Sequence, residues 1–379
     1  MHHPLRACLQ SSAAEPLATA PPLVPLPRPA AIVSSFNEWD PLEEVIVGSV
    51  RGACIPAWDT CLEATMPEEQ RDFFRARTAQ TFPPERIAAA ERDLEEFVRV
   101  LEGEGVVVRR PDPVDFSRAF ATPDWESPGG LYCAMPRDIL LVVGDLIIES
   151  PMAWRSRYFE IHAYRRLLKE YFRQGARWVA APRPELRDSL YDAGFDPEGQ
   201  GRFVTTEEEP TFDAADFVRC GRDLFVQRSH VTNRFGIEWV RRQLGNDYRV
   251  HELKLNDPHP MHIDATLTPL APGKLLINPE RVPKVPAIFR YWDVRPAPPS
   301  GIPADHVLYM SSRWISMNLL MLDEERVIVE RNDTALIRTL RDFGLKPIPC
   351  GFLNFNSFGG SFHCATADVR RRGTLQSYF

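Results

Sequence analysis

Short apolar runs broken by a turn, followed by a longer stretch with helical spacing, recur along this chain. Ile139-Leu140-Leu141-Val142-Val143, the turn Gly144-Asp145 and Leu146-Ile147-Ile148 predict a hairpin whose strands are apolar throughout. A helix is expected over about 152–172, closed by Gly175, then a strand at Trp178-Val179-Ala180. The order then repeats. Asp216-Phe217-Val218-Arg219-Cys220 turns at Gly221-Arg222 into Leu224-Phe225-Val226, with a helix near 237–244 and a strand at Tyr248-Arg249-Val250. His262-Ile263-Asp264-Ala265-Thr266-Leu267 turns at Pro272-Gly273 into Leu275-Leu276-Ile277, ahead of a shorter, proline-marked helix near 287–292. Met317-Asn318-Leu319-Leu320-Met321, Asp323-Glu324 and Val327-Ile328-Val329 form the last pair, with a helix over 334–343, Gly344 as its cap and an end at Ile348.

The N-terminal copy is incomplete. Val45-Ile46-Val47 gives one strand, 51–80 has the pattern of an elaborated loop, and Pro83-Pro84-Glu85 opens a helix. Ile87, Ala90, Leu94, Phe97, Val98 and Leu101 keep helical spacing, Gly103 is expected to stop the helix, and Val106-Val107-Val108 follows as a buried strand. The leading strand is missing, and the residues after Cys364 supply it if the chain returns to its beginning. A unit that cannot bury its own sheet face must pack on neighbours. The expected fold is therefore one α/β domain over 32–379, a five-bladed, pseudo-symmetric α/β propeller of hairpin-helix-strand (ββαβ) units closed by the two chain ends. A doubly wound sheet is the competing fold, but it needs single strands between helices. Residues 1–31, rich in proline and alanine, read as a disordered tail. They have neither the unbroken apolar core of a secretory signal nor the arginines of a mitochondrial presequence.

With 379 residues and 44% hydrophobic content, the chain can build a large core. Its formal net charge of −7, with no long basic stripe, argues against nucleic acid as a partner. No apolar run approaches the ~18 residues that a membrane span needs, so no membrane partner is expected. The seven cysteines are scattered and lack C-x-x-C spacing. That disfavours a disulfide framework or a structural zinc and fits a reducing, cytoplasmic compartment.

If the leading strand of every unit lines a common axis, the polar residues at its start meet. Asp138, Asp213, His262 and Cys364 each lie at or just before that point, and Ser311 and Ser312 shortly precede the equivalent strand of the last repeat. Taken singly, such an aspartate is a cap, a histidine a satisfied core group, a serine a loop hydrogen bonder and a cysteine a small buried hydrophobe. Recurrence at one structural position favours a site. Gly359-Gly360, just before Cys364, lets a ligand or another strand approach closely. A thiol becomes a nucleophile when a histidine or a positive charge lowers its pKa, and His262 is the expected general acid/base. His363 is adjacent to the thiol, but in a strand it would face the other way. Asp138, Asp213 and Asp264, the last on the same strand face as His262, would repel an anion and suit a planar cation with forked donors, a guanidinium. Arg281 is placed to hold a carboxylate. Guanidinium at one end and carboxylate at the other describe arginine.

Phe212-Asp213-Ala214-Ala215-Asp216-Phe217, Pro260-Met261-His262-Ile263-Asp264-Ala265-Thr266, Gly359-Gly360-Ser361-Phe362-His363-Cys364 and the ending Asp368-Val369-Arg370-Arg371-Arg372-Gly373-Thr374-Leu375-Gln376-Ser377-Tyr378 resemble the glycine amidinotransferase family. Its close relatives are the inosamine-phosphate amidinotransferases, and the match runs from about Val33 to the C-terminus. The resemblance implies that Cys364 attacks the guanidinium carbon of L-arginine, that ornithine leaves, and that an amidino-cysteine passes its group to an amine in a ping-pong cycle. It implies that His262 protonates the leaving amine and later deprotonates the acceptor. Asp213 would orient His262 and, with Asp138 and Asp264, bind the planar group, while Arg281, Ser311 and Ser312 would contact the amino-acid part. Met261 matches the glycine-using members, so glycine, giving guanidinoacetate, is the first expected acceptor. His259 stands where those members usually carry asparagine, which leaves lysine or a natural-product precursor open. The loop before His262 lacks the small polar residues of the inosamine-phosphate enzymes, which disfavours a cyclitol phosphate. No cofactor or metal is implied, since thiolate and leaving amine carry out the exchange, and a homodimer is implied.

Three rivals are weighed against this reading. An arginine deiminase-like hydrolase would use water in place of the acceptor amine. A non-catalytic ring would bind an arginine-like ligand without needing the thiol. A papain-like hydrolase fits poorly, because carboxylates crowd the cysteine.

Overall fold

In the computed structural model, which describes residues 31–196 and 202–379, the apolar runs become a series of small sheets. The expected disordered tail over 1–31 lies, apart from Ala31, outside the described residues. Among the described residues five sheets have three strands each and a sixth is a two-stranded ladder, and none of them closes into a barrel. Residues Ile32–Phe379 form one compact unit.

Four of the three-stranded sheets share one construction. Leu140–Val143 pairs antiparallel with Leu146–Glu149, and Arg177–Ala180 adds in parallel on the far side of Leu146–Glu149. Phe217–Cys220, Asp223–Gln227 and Arg249–Leu253 repeat the plan, as do Leu267–Ala271, Lys274–Ile277 and Asp293–Pro296. Leu320–Met321, Arg326–Glu330 and Lys346–Cys350 do so again. In the remaining sheet Leu42–Val47 is central and Val107–Arg109 is its parallel partner. Its antiparallel partner comes from the other end of the chain, Thr366–Arg371, with Val45 opposite Asp368 and Val47 opposite Thr366.

The first two strands of each sheet are almost wholly buried and largely apolar because both faces are covered. Leu140, Val142 and Ile147 pack with Ile46, Ala367 and Val369 of the end-to-end sheet. Their neighbours in sequence, Leu141, Val143, Leu146 and Ile148, pack with Phe217, Leu224 and Val226 of the next sheet. Val218 and Phe225 share a core with Leu267, Leu275, Val327 and Val329, while Val45 and Val47 join Leu320 and Ile328. The third strand is different. It has a ladder partner on one side only, and the expectation that 106–108 is a buried strand does not hold: the strand is Val107–Arg109, and Val107 is 50% exposed.

Other boundaries also differ from expectation. The segment 51–80 contains two short helices, Thr60–Thr65, capped by the Asp59 carboxylate, and Arg71–Ala76. Gly103 lies inside the helix Pro84–Gly103, and Gly105, at φ +85°, makes the left-handed exit. The expected helix over 152–172 is confined to Arg165–Arg173, preceded by 3₁₀ turns at Arg155–Arg157 and Glu160–Tyr164. Arg157 and Glu160 turn inward there to meet buried partners, which a continuous surface helix would not allow. Near 287–292 only the turn Ala287–Phe289 forms. No helix among the described residues is long and apolar enough to cross a membrane.

Candidate active site

Each leading strand is entered through a short turn, and these turns carry the polar residues. Pro136–Ile139 precedes Leu140, Ala214–Asp216 precedes Phe217, and Ile263–Ala265 precedes Leu267. Arg313–Met317 precedes Leu320, and residues 362–365 turn ahead of Thr366. Turn geometry, and not strand alternation, therefore sets where Asp264 and His363 point. Neither residue is in a strand, and their side chains meet beside the thiol.

The turns bring the expected residues together. One donor atom from each of Asp138, His262 and Cys364 lies within 4.8 Å of the others, and all three residues are buried. His262 Nε2 is 3.0 Å from Asp213 Oδ2, and its Nδ1 is 3.7 Å from Asp138 Oδ1. Cys364 Sγ donates to Asp264 Oδ2 at 3.3 Å. Asn318, which the sequence reading missed, fixes the cysteine backbone: its Oδ1 accepts the N–H of Cys364 at 2.9 Å and that of Ser361 at 3.2 Å. His262 itself has φ +61°, a left-handed conformation rare for a side chain of its size. The surrounding carboxylates hold its ring in place, as strained residues at sites are usually held.

Arg157 is the largest omission from the sequence reading. Fully buried, it donates from Nη1 to Asp138 Oδ2 at 2.9 Å and to Asp213 Oδ2 at 3.5 Å, and pairs with Glu160 at 2.9 Å. Its guanidinium lies over the Tyr132 and Trp154 rings. Engaging one oxygen of each aspartate leaves Asp138 Oδ1 and Asp213 Oδ1 buried with no hydrogen-bond partner. In sequence, Arg157 and Glu160 were indistinguishable from a surface i, i+3 pair on an amphipathic helix.

Cys364, His262 and Asp264 open on a cleft of about 1050 Å³ that is also lined by His259, Met261, Arg281, Ser311 and Ser312. Asp138 and Asp213 do not line the cleft itself: Asp213 backs His262, while an oxygen of Asp138 lies within 4.8 Å of both His262 and the thiol at the cleft's floor. Arg281 reaches Asp257 at 3.0 Å, Thr266 Oγ1 at 3.1 Å and Ser312 Oγ at 3.4 Å. Ser311 Oγ has no hydrogen-bond partner. His259 donates its backbone N–H to Asp257.

Electrostatics set the resting protonation. Burial, with the Asp264 carboxylate next, pushes the Cys364 thiol up to about 12, against the pull of His262. The free thiol is therefore neutral at neutral pH. Burial alone would lower His262, but the charge of Asp138 and the hydrogen bond that the ring makes to Asp213 outweigh it and hold the ring well above its usual range. Burial raises Glu160 to about 7 despite Arg157. Asp264 stays below the usual carboxylate range, because the His363 hydrogen bond and charge more than offset burial. Asp138, His262 and Cys364 have the spacing of a metal site, but His262 Nε2 and the thiol already have proton partners in Asp213 and Asp264. The donor set suits proton transfer around a nucleophile, and we do not assign it to a metal.

The chain is 58% identical over 349 residues to the L-arginine:L-lysine amidinotransferase of Pseudomonas savastanoi pv. phaseolicola, covering 91% of this chain and 96% of that one. The chain belongs to the amidinotransferase family. It is thus a transferase of amidino groups, and the mitochondrial glycine amidinotransferase of Gallus gallus is another relative, 51% identical over 358 residues, covering 92% of this chain and 85% of the other. Among solved structures, SxtG, an amidinotransferase of saxitoxin biosynthesis from Microseira wollei, aligns with a TM-score of 0.86 at 55% identity, covering 92% of this chain and 99% of the other. The inosamine-phosphate amidinotransferase of Streptomyces griseus aligns at 0.85 with 40% identity and the same coverage. No protein-family model matches the chain.

Proposed function

We propose that this amidinotransferase takes the amidino group of L-arginine onto Cys364 and passes it to a primary amine. The supporting observation is the buried thiol beside His262, with Asp138 next to it and Asp138 Oδ1 lacking a partner, and Arg281 in the adjoining cleft. Unpartnered buried carboxylate oxygens are costly unless a ligand supplies donors, and a guanidinium does so in a forked arrangement. Arg281, with Ser311 and Ser312, takes the carboxylate of the amino acid.

In this reading arginine assists its own reaction. The guanidinium charge arriving beside Sγ favours the thiolate, and the thiol proton leaves to solvent. Sγ attacks the guanidinium carbon and a C–S bond forms. The C–N bond to ornithine then breaks as His262, held protonated by Asp213 and Asp138, gives its proton to the leaving nitrogen. Neutral His262 next accepts a proton from the incoming amine as that amine attacks the amidino carbon, and the C–S bond breaks to return the thiolate. Asp264 and Asp138 hold the planar group throughout.

The acceptor we infer is an α-amino acid. A diamino acid of the lysine type can reuse the anchors that ornithine vacates, with its terminal amine at the amidino carbon, and the identity to the arginine:lysine enzyme supports it. Glycine is the second reading, supported by Met261 and by the identity to glycine amidinotransferases. The shared core clusters of successive sheets, and the terminal strand that completes the first of them, support a pseudo-fivefold ring, an α/β propeller over 32–379. Cysteines 54, 61, 133, 220, 350 and 364 are free, which suits a reducing cytoplasmic compartment, and we expect a homodimer, which light scattering measures.

Intact-mass spectrometry after addition of arginine tests the chemistry. One amidine adduct, mapping to Cys364 and absent from Cys364→Ala, is expected, with ornithine released at about one equivalent. Discharge by a panel of amines then names the acceptor. Steady citrulline release from arginine alone would instead establish a hydrolase, and arginine binding untouched by Cys364→Ala with no adduct would establish a binding module.

A further inference from the structure

Next to the nucleophile lies a histidine that the reaction above does not use. His363 Nδ1 is 2.7 Å from Asp264 Oδ2, the same oxygen that accepts the Cys364 thiol at 3.3 Å. Its other nitrogen, Nε2, is 3.2 Å from Glu38 Oε2. Both carboxylates accept, so a ring that satisfies both through N–H donors is the doubly protonated imidazolium. All three residues are buried.

Glu38 is fixed from behind. Arg219 binds it in a fork at 2.8 and 2.6 Å, and the same guanidinium reaches Asp368 at 2.7 Å. Asp368 also takes Arg137 at 2.6 Å and Arg371 at 2.8 Å. Arg137 in turn donates to the carbonyl oxygen of His363 at 3.4 Å. The chain of contacts runs from a charge cluster at the end-to-end sheet, through Glu38 and His363, to one oxygen of Asp264. The charged and titratable groups facing His363 from its neighbours are Asp264, Glu38, Arg137 and, across Asp264, Cys364 and His262.

We propose that His363 is a positioning residue for the amidino-donor site: it anchors the Asp264 carboxylate, as a fixed negative charge facing the sulfur, to the buried hub through Glu38. Without that clamp Asp264 keeps only the weaker support of the Asn318 amide and the His262 charge, so it is held less firmly and takes up a proton more readily, and in either state it offers a guanidinium less. The direction of the Asp264 shift, below the usual range despite complete burial, agrees with this. The inference rests on the arginine chemistry proposed above.

The test uses the full-length protein with His363→Leu and His363→Asn. Asparagine keeps an N–H donor near the Nδ1 position but carries no charge, whereas leucine keeps only bulk. In His363→Leu, kcat/KM for arginine should fall at least about 100-fold at pH 7, chiefly through KM. Its acidic limb should move to higher pH by a unit or more, because Asp264 then titrates within the working range. His363→Asn should recover at least tenfold of that loss. An unmoved acidic limb with equal loss at every pH, or no rescue by asparagine, overturns the proposal. If His363→Leu does not fold, the limb of His363→Asn against wild type decides, with an unmoved limb again overturning it. The wild-type adduct on Cys364 is measured alongside. Its absence would fail the donor chemistry itself, whereas its presence with an unmoved limb would fail only the role of His363.

Discussion

At the scale of single residues, the site works by placing groups of opposed tendency side by side. A thiol raised to about 12 and a histidine held protonated would be inert without a cation to change the balance. The free enzyme should accordingly show slow alkylation of Cys364 by a neutral haloacetamide at pH 7, rising about tenfold per pH unit to pH 10. A rate that levels off near pH 8 would contradict the raised thiol. Arg281→Leu should raise KM for arginine about 10- to 100-fold with kcat changed far less, as expected when one charged hydrogen-bonding partner of the substrate is lost. A fall in kcat alone would remove Arg281 from substrate binding. Cys364, His262, Asp138 and Asp213 were legible because they recur at one point of a repeating pattern, and Asp264 from its spacing to His262. Arg157, Asn318 and Glu38 were not, because nothing in a linear pattern says that a charged or amide side chain inside a helical or loop stretch turns inward.

At the scale of elements, what matters is how the chain enters each leading strand. The turns at Pro136–Ile139, Ala214–Asp216 and Ile263–Ala265 bring their side chains and those just before them toward one site, which extended backbone would aim to alternate faces. These residues stand at the strand starts that the repeat predicts, but on turns and not in extended backbone. Glycines set the approach of the last turn. Gly359 has φ +92°, and a Cβ on Gly360 would lie 2.4 Å from Met135 Sδ and 2.8 Å from Cys364 Cβ. Gly360→Ala should therefore displace the nucleophile: we expect kcat to fall by at least about tenfold with circular dichroism unchanged. Full activity in a folded Gly360→Ala variant would show that the thiol tolerates the shift.

At the scale of the whole molecule, buried charge gives stability an optimum in pH. Glu38 and Asp368 are held below the usual range, burial being outweighed by Arg219 and Arg137 respectively, with further arginine contacts. A depressed acid contributes stability that is present above its unfolded value, near 4, and lost as pH falls. Glu160 and His262 act in the opposite sense. Both folded-state values are raised, so their contribution is full below about 4.5 for Glu160 and 6.5 for His262, and declines as pH rises through about 7 and beyond. Melting temperature should peak in the mildly acidic range, decline above pH 7 and drop steeply below pH 4. A monotonic rise from pH 5 to 9 would contradict the raised pair, and an unchanged midpoint at pH 3 the depressed one.

Sequence alone determined the repeating apolar pairs, the helices with clean periodicity and the need for the C-terminal strand to complete the first sheet. Those features depend on local spacing and on the rule that a sheet face must be covered, both readable in one dimension. Only the tertiary structure decided which third strands are exposed, where 152–172 breaks, and which buried arginines and carboxylates pair behind the thiol. Such pairing depends on distances between residues far apart in the chain, as between Glu38 and His363 or Arg157 and Asp213, and the balance of desolvation against charge is fixed only once those distances are set.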